Sequence, residues 1–407
     1  MPHRVPPLRS GHHLQLLEGS GELFPALVAA IDAAESEVRL ETYIFDFSGS
    51  SLEVAYALER AARRGVTVEV VVDGVGSAGL PPPMLHRLEL AGVHWQVYSP
   101  TGPLGLLWPG QWRRLHRKLC VVDGRVGFCG GINILDDFHD PNHGPLAAPR
   151  LDFAVRVTGP LVAGMHQAME RLWRRIVALR QLRTFSHLRG TLLSLRASGT
   201  RAAVPARAAA SHGLPRARAA LLLRDNLRFR AVIERAYLRA IGRAREEIVI
   251  ANAYFVPGGR MRRALVSAAR RGVRVLLLVQ GRYEYFMQYY ASRPVFGALL
   301  QAGVEIIEYE PSFLHAKVAV VDGRWATVGS SNLDPLSLLL AREANVVVED
   351  RAFAGRLRQR LLHAVQHEGR RMHGAEYESR SRATRAKEWL ALVLMRIALV
   401  IQGKKYL

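Results

Sequence analysis

The sequence predicts an α/β protein of two similar α/β/α lobes, each a mixed sheet flanked by helices, related by a pseudo-twofold axis with the functional site between them. Three observations predict it. The phrase HRKLCVVDGRVGFCGGIN from residue 116 returns as HAKVAVVDGRWATVGSSN from residue 315, identical at nine of eighteen positions and 199 residues apart. Other phrases recur in the same order: ETYIFDF around Tyr43 and NAYFVPG around Tyr254, AARRGVTVEVVVDG and AARRGVRVLLLVQG, AGVHWQVYSP and AGVEIIEYEP, at offsets of 211, 207 and 211. Within each half, amphipathic helical patterns alternate with short apolar runs, the signature of a sheet covered by helices on both faces.

The elements follow in chain order. In LFPALVAAIDAAESEVRLETYIF, apolar residues at helical spacing lead into a β-rich run. ARRGV then supplies a basic helix end, a glycine stop and the next strand. After the first repeated phrase comes PRLDFAVRVTGP, another apolar run, and the second half repeats the plan. A chain of 407 residues exceeds the size at which one core stops growing. The expected division is a first lobe over 1–175, a basic linker over 176–222, a second lobe over 223–370 and a basic and apolar tail over 371–407. Between Arg171 and Arg224 lie twelve arginines and no Asp or Glu, which reads as a solvated linker or a surface for anionic headgroups.

The balance of 56 basic and 35 acidic side chains leaves a formal charge of +21, so the partners are expected to be polyanionic, either nucleic acid or an anionic membrane. Cys120 and Cys129, the two cysteines, sit in apolar strand-like runs and are expected to be buried free thiols. The start, MPHRVPPLRSGHH, lacks the apolar core of a secretory signal. The longest apolar run, WLALVLMRIALVI from Trp389 to Ile401, is interrupted by Arg396 and falls short of the roughly 20 residues that span a bilayer. It reads either as an interfacial helix or as a helix docked on the lobes.

The repeated letters carry chemistry. Core packing has no reason to repeat a histidine, a lysine, an aspartate and an asparagine at fixed spacing. In HRK and HAK the histidine and lysine are two residues apart, so on a strand both face one way: His116 with Lys118, His315 with Lys317. DGR turns the chain back, and Gly130 and Gly131, or Gly329 and Ser330, allow close approach of a ligand beside Asn133 or Asn332. Two imidazoles from two lobes suit exchange at a phosphodiester: one attacks phosphorus while the other protonates the leaving alkoxide. The lysines and asparagines would then bear the charge on the non-bridging oxygens. Asp152 and Glu343 interrupt apolar runs and are candidates to hold the histidines' second nitrogens, with surface placement or pairing to Arg150 and Arg342 as the alternative. Asp123 and Asp322, at the turns, read first as hairpin supports. No compact spacing reads as a metal site, and neither a metal nor another cofactor is expected.

The pattern H-x-K-x4-D-x6-G-(G or S)-x-N, present twice, resembles the phospholipase D superfamily. Within it the chain is similar to bacterial cardiolipin synthases, most closely the B type. The resemblance runs from residue 14 to about 365 and includes LLEGSGELFPALVAAI, LETYIFDF, MLHRLELAGV, DFAVRVTGP, IVIANAYFVPGGR and the two repeated phrases. It implies the two-lobed phospholipase D fold, a covalent phosphohistidine and transfer of a phosphatidyl group from phosphatidylglycerol to a hydroxyl of a second lipid. By motif position it makes His116, Lys118, Asp123, His315, Lys317 and Asp322 the catalytic set, with His116 as nucleophile and His315 as acid and base. It also implies an anionic phospholipid membrane of phosphatidylglycerol and cardiolipin as partner, no nucleic acid, and a peripheral place on the cytoplasmic face of a bacterial inner membrane. Relatives in the superfamily include phospholipases D, phosphatidylserine synthases and nucleases, so the acceptor stays open. One letter departs from the superfamily pattern: Gly131 stands where serine is usual. Two segments rich in aromatics and cations, one holding Trp108, Trp112, Arg113 and Arg114 and the other GRYEYFMQYYASRP from 281, are expected either to line a membrane-facing mouth or to be ordinary loops.

Overall fold

The two halves fold with the same strand order. A computed structural model describes residues 5–100, 112–185, 217–225, 229, 231–283, 286–334 and 341–401. The first lobe holds β1 (Arg9–Glu18), β2 (Glu37–Thr42), β3 (Thr67–Asp73), β4 (Val93–Tyr98), β5 (Arg114–Leu115), β6 (Lys118–Val122), β7 (Val126–Gly130), a small hairpin of β8 (His139–Asp140) and β9 (Gly144–Pro145), and β10 (Phe153–Thr158). The second holds β11 (Ala217–Arg224), β12 (Glu247–Asn252), β13 (Arg274–Gln280), β14 (Glu305–Tyr309), β15 (Lys317–Val321), β16 (Trp325–Gly329), β17 (Ala341–Glu349) and β18 (Gly369–Arg371). Lobe one is ordered β1-β10-β7-β6-β2-β3-β4, and lobe two β11-β17-β16-β15-β12-β13-β14 with β18 at its edge. Antiparallel pairing of β1 with β11, with a register shift between Arg9 and His12, joins them into one sheet.

Local chemistry explains these elements. β2, β3 and β4 run parallel, and so do β12, β13 and β14, because a helix returns the chain between successive strands. The helices Ser51–Arg63 and Gly259–Arg270 end in the repeated ARRG, where Gly65 and Gly272 adopt positive φ of 88° and 86°. All five residues of β6 and of β15 are buried, as expected of strands covered on both faces. A central apolar cluster draws on both lobes, including Leu119, Val121, Val155, Val318, Val346 and Val348, with Met165 of helix Leu161–Phe185 and Leu357 of helix Arg351–His367. Each lobe has a second cluster of its own. Cys120 belongs to the first lobe's cluster and Cys129 to the central one; both are free thiols, and burial pushes both pKa values up.

Two expected boundaries change. Helix Leu161–Phe185 runs past residue 175, and Ala217–Arg224, of which 217–222 fall in the expected linker by their Arg and Ala content, is strand β11 between β1 and β17. Alternate burial of its side chains offsets the poor β propensity of alanine. The rest of the linker, 186–216, lies outside the described residues. The chain after 370 packs on the second lobe: the Tyr377 hydroxyl donates to the Arg293 carbonyl at 2.8 Å, and helix Arg382–Ile401 seats Ala391 and Met395 beside Val256 and Ala291. Among the described residues no helix is long and apolar enough to cross a membrane.

Asp123 and Asp322 occupy the β6–β7 and β15–β16 turns at φ 50°, the left-handed region that aspartate tolerates better than most residues. Asp123 accepts from the backbone N–H groups of Glu35, Ser36 and Glu37 at 2.8–2.9 Å, and Asp322 from those of Arg245, Glu246 and Glu247 at 2.9–3.0 Å. Burial alone would raise the Asp123 pKa, but these donors and the Ser36 hydroxyl outweigh it and hold it below the ordinary value. Each aspartate stands five positions along the strand from its lysine, about 16 Å, so the grouping of the two aspartates with the catalytic residues is corrected: they bind the hairpin to the start of the neighbouring strand. Asp322→Ala is predicted to destabilise the fold by about 2 kcal/mol, read from the denaturation midpoint, and to leave kcat of the folded enzyme unchanged.

Candidate active site

The two histidines are built into the lobe interface by backbone before any side chain acts. β5 pairs in parallel with the start of β17, and the His116 N–H donates to the Arg342 carbonyl at 3.0 Å. Reciprocally, Leu151 bridges to Leu314, and the His315 N–H donates to the Leu151 carbonyl at 3.0 Å. Arg342 precedes Glu343 and Leu151 precedes Asp152. Each histidine therefore hangs from the residue just before a carboxylate of the opposite lobe. The residue before each histidine is held as well: Leu115 N–H by Asp73 at 2.8 Å, and Leu314 N–H by Gln280 at 3.0 Å, from the matching ends of β3 and β13.

The side chains complete the exchange. His116 Nδ1 lies 3.1 and 3.2 Å from the Glu343 oxygens, and His315 Nδ1 lies 2.6 Å from Asp152 Oδ2. Glu343 and Asp152 are buried, at 0% and 3% side-chain exposure, whereas the imidazoles remain 15% and 21% exposed. The carboxylates thus lie behind the rings and the second ring nitrogens are left for a ligand. Arg150 and Arg342 do not take these carboxylates: Arg150 binds Asp140 and two carbonyls, and Arg342 lies against Tyr98.

Electrostatics favours an anion. Burial lowers the His116 pKa, with Glu343 opposing and Lys118 reinforcing it, so the ring is neutral at pH 7. His315 is lowered further, by burial and then by Lys317, Lys118 and His116. Burial pushes Asp152 up to about 7 and Lys118 down to about 7, the latter helped by Lys317. These cross-lobe effects place both histidines and both lysines at one site. Each ammonium group also donates to the carbonyl of its own histidine, Lys118 to that of His116 at 2.8 Å and Lys317 to that of His315. Asn133 accepts from Ile44 N–H at 3.1 Å, which leaves its amide NH₂ for other contacts; Asn332 is buried, and its Oδ1 has no partner among the described residues.

The glycines and Ser330 have roles within the protein that account for them apart from substrate binding. A Cβ on Gly130 would sit 2.5 Å from Ala154 Cα, and one on Gly329 would sit 2.3 Å from Asn345 Cγ. Ser330 donates to Glu343 Oε2 at 2.5 Å and accepts from Ala344 N–H at 3.1 Å. A Cβ on Gly131 would lie 2.3 Å from Asp152 Oδ1. Serine with glutamate and glycine with aspartate are therefore matched pairs, which accounts for the departure at Gly131.

Sequence reasoning missed the crossing of carboxylates between lobes, the Asp73 and Gln280 supports, and Tyr43. The Tyr43 ring stands 5.1 Å from His116 and 5.5 Å from Lys118 Nζ. The repeat of VVVDG as LLVQG and of Tyr43 as Tyr254 was the available signal. Trp108 lies outside the described residues. Gly131→Ser is predicted to displace the Asp152 carboxylate and lower kcat on the order of 10²-fold with an unchanged circular dichroism spectrum; full activity would contradict the pairing.

The family profile described as "Cardiolipin synthase, PLD-like domain" matches residues 27–144 and 237–364, one copy in each lobe. Cardiolipin synthase B of Escherichia coli K12 is 39% identical over 354 residues, covering 87% of this chain and 80% of the relative. Cardiolipin synthase A of Erwinia tasmaniensis is 30% identical over 389 residues, covering 93% and 72%. Among solved structures, phosphatidylserine synthase of Haemophilus influenzae Rd KW20 superposes with a TM-score of 0.67 at 14% identity, covering 98% of this chain and 97% of that one. At that identity the likeness speaks for the fold alone. Two motif-bearing lobes, one site between them and relatives spanning most of the chain make this protein a member of the cardiolipin synthase family of phospholipase D-like proteins.

Proposed function

We propose that the protein is a cardiolipin synthase that moves a phosphatidyl group from phosphatidylglycerol to a hydroxyl of a second phospholipid, acting peripherally on the cytoplasmic face of a bacterial inner membrane. One observation carries the chemistry: two partly exposed imidazoles, each backed by a buried carboxylate of the other lobe, share a site with two buried lysines. The curated relatives named cardiolipin synthase support the substrate class, and the charge of +21 supports an anionic surface as partner.

The roles follow from the asymmetry between the two pairs. His116 is neutral and hydrogen-bonded at Nδ1, so its Nε2 lone pair attacks phosphorus. The P–O bond to glycerol breaks, and the glycerol oxygen takes its proton from His315. Because Asp152 is raised to about 7, the Asp152–His315 pair holds a proton near neutral pH and supplies it. In the second half, the incoming hydroxyl gives its proton to His315 and attacks phosphorus, the P–N bond to His116 breaks, and cardiolipin leaves. Lys118 and Lys317 offset the charge on the non-bridging oxygens, and the amides of Asn133 and Asn332 donate to them.

Two outcomes check this reading. Incubated with phosphatidylglycerol vesicles, the protein is expected to form cardiolipin and free glycerol by lipid mass spectrometry, and His116→Ala to form neither; phosphatidate alone would make water the acceptor and overturn the transferase reading. The second concerns protons. A bound anion raises the pKa of Lys118 above its free value of about 7, so binding takes up a proton where the free lysine is deprotonated, and affinity falls as pH rises above 7. Calorimetry of sulfate binding at pH 8 in buffers of different ionisation enthalpy should show that uptake, and none in Lys118→Gln.

A further inference from the structure

Most apolar surface on this protein is scattered, with one exception. Of the ten large hydrophobic side chains exposed among the described residues, six belong to two segments packed on each other: Tyr283 and Phe286 at one, Trp389, Leu390, Leu394 and Ile397 at the other. Isolated exposed leucines need no explanation, but a contiguous cluster does.

Helix Arg382–Ile401 divides into two faces. At about 100° per residue, Glu388, Ala391 and Met395 fall within about 60° of one another. They are the buried side, with Ala391 and Met395 against Val256 and Ala291 and with Glu388 held by Arg380 at 2.6 Å. Trp389, Ile397, Leu390 and Leu394 fall on the adjoining arc of about 140° and are 66%, 49%, 46% and 44% exposed. Arg382, Arg385 and Lys387 are exposed within the two turns before Trp389; Arg385 donates to the Glu378 carbonyl, and none of the three forms an ion pair with a carboxylate among the described residues. Glu388, the helix's one acidic residue, is turned inward. The outer face thus carries a tryptophan, three aliphatic groups and three cations.

Its position bears on the site. Val256, under the helix, donates its N–H to the carbonyl of Leu333, next to Asn332. The segment with Tyr283 and Phe286 follows Gln280, whose side chain holds Leu314 beside His315. The patch therefore stands at the end of the second lobe's sheet where His315, Lys317 and Asn332 lie.

We propose that the outer face of helix Arg382–Ile401, with Tyr283 and Phe286, seats this protein on an anionic phospholipid bilayer, with the active-site end of the sheet turned toward the lipid. This rests on the lipid substrate proposed above. The helix lies in the interface and does not span: its inner face is occupied by the lobe, its apolar groups enter the headgroup boundary, and its cations meet anionic headgroups. A second copy of the chain would cover the apolar groups equally well, but nothing acidic on the face would balance the cations of its mate.

The test uses the full chain in flotation with vesicles containing phosphatidylglycerol. Trp389→Glu/Ile397→Glu is expected to lose at least about tenfold in vesicle partitioning while turning over monomeric short-chain phosphatidylglycerol as the parent does. Arg382→Gln/Lys387→Gln, which leaves the packed face untouched, is expected to lose binding to anionic vesicles at low salt and to match the parent at high salt. Vesicle binding unchanged in both variants would overturn the proposal, as would a parent dimer by mass photometry that Trp389→Glu/Ile397→Glu converts to monomer without loss of vesicle binding. A parent that floats with vesicles yet forms no cardiolipin would fail the activity reading alone.

Discussion

Each histidine takes its backbone acceptor and its imidazole acceptor from the opposite lobe. The partners are 227 residues apart for His116 and Glu343, and 163 apart for His315 and Asp152. The hook is rigid because the acceptor carbonyl and the carboxylate are consecutive residues entering a central strand, β17 in one lobe and β10 in the other. A shift of either lobe would therefore move a histidine and its carboxylate together or break both bonds. Neither lobe alone holds a complete site, which gives a physical reason for the two copies to stay in one chain.

That arrangement puts charge where water is scarce. Lys118 and Lys317 are 5% and 0% exposed, and their mutual repulsion adds to the desolvation of each. Each ammonium donates to a backbone carbonyl, and two neighbouring buried cations favour an anionic ligand. Burial, reinforced by Lys118, holds His116 neutral, and under the proposed chemistry that leaves its Nε2 lone pair for the phosphorus of a phosphodiester drawn by the two cations. Placement of the exposed apolar and cationic helix near the same end of the sheet extends this logic from the headgroup to the lipid surface.

Much of this was legible in the sequence. The repeat implied similar lobes, and turn chemistry pointed to Asp123 and Asp322 as hairpin supports even though the family motif groups them with the catalytic residues. The crossing of Glu343 to His116 and Asp152 to His315 was not legible, because periodicity reports which face a residue occupies and not which distant strand lies opposite. Gly131 was legible only as a departure from the usual serine; its reason, the carboxylate of Asp152 in the space its Cβ would fill, is not written in the sequence. Strand β11 was hidden by composition: ARAALLLR continues an Arg and Ala run, and only pairing with β1 and β17 makes it a strand. The helix after Arg382 was read as either interfacial or docked, and its two faces show why one sequence carried both signals.

The crossing of the carboxylates is the claim on which the rest stands, and ¹⁵N NMR of histidine side chains tests it most directly. With imidazole signals assigned from His116→Gln and His315→Gln, Glu343→Gln should shift the Nδ1 resonance of His116 and leave His315 near its parent position, and Asp152→Asn should do the reverse. A response of His116 to Asp152→Asn in place of Glu343→Gln would mean that each lobe serves its own histidine, and the account of a site assembled across the interface would be wrong.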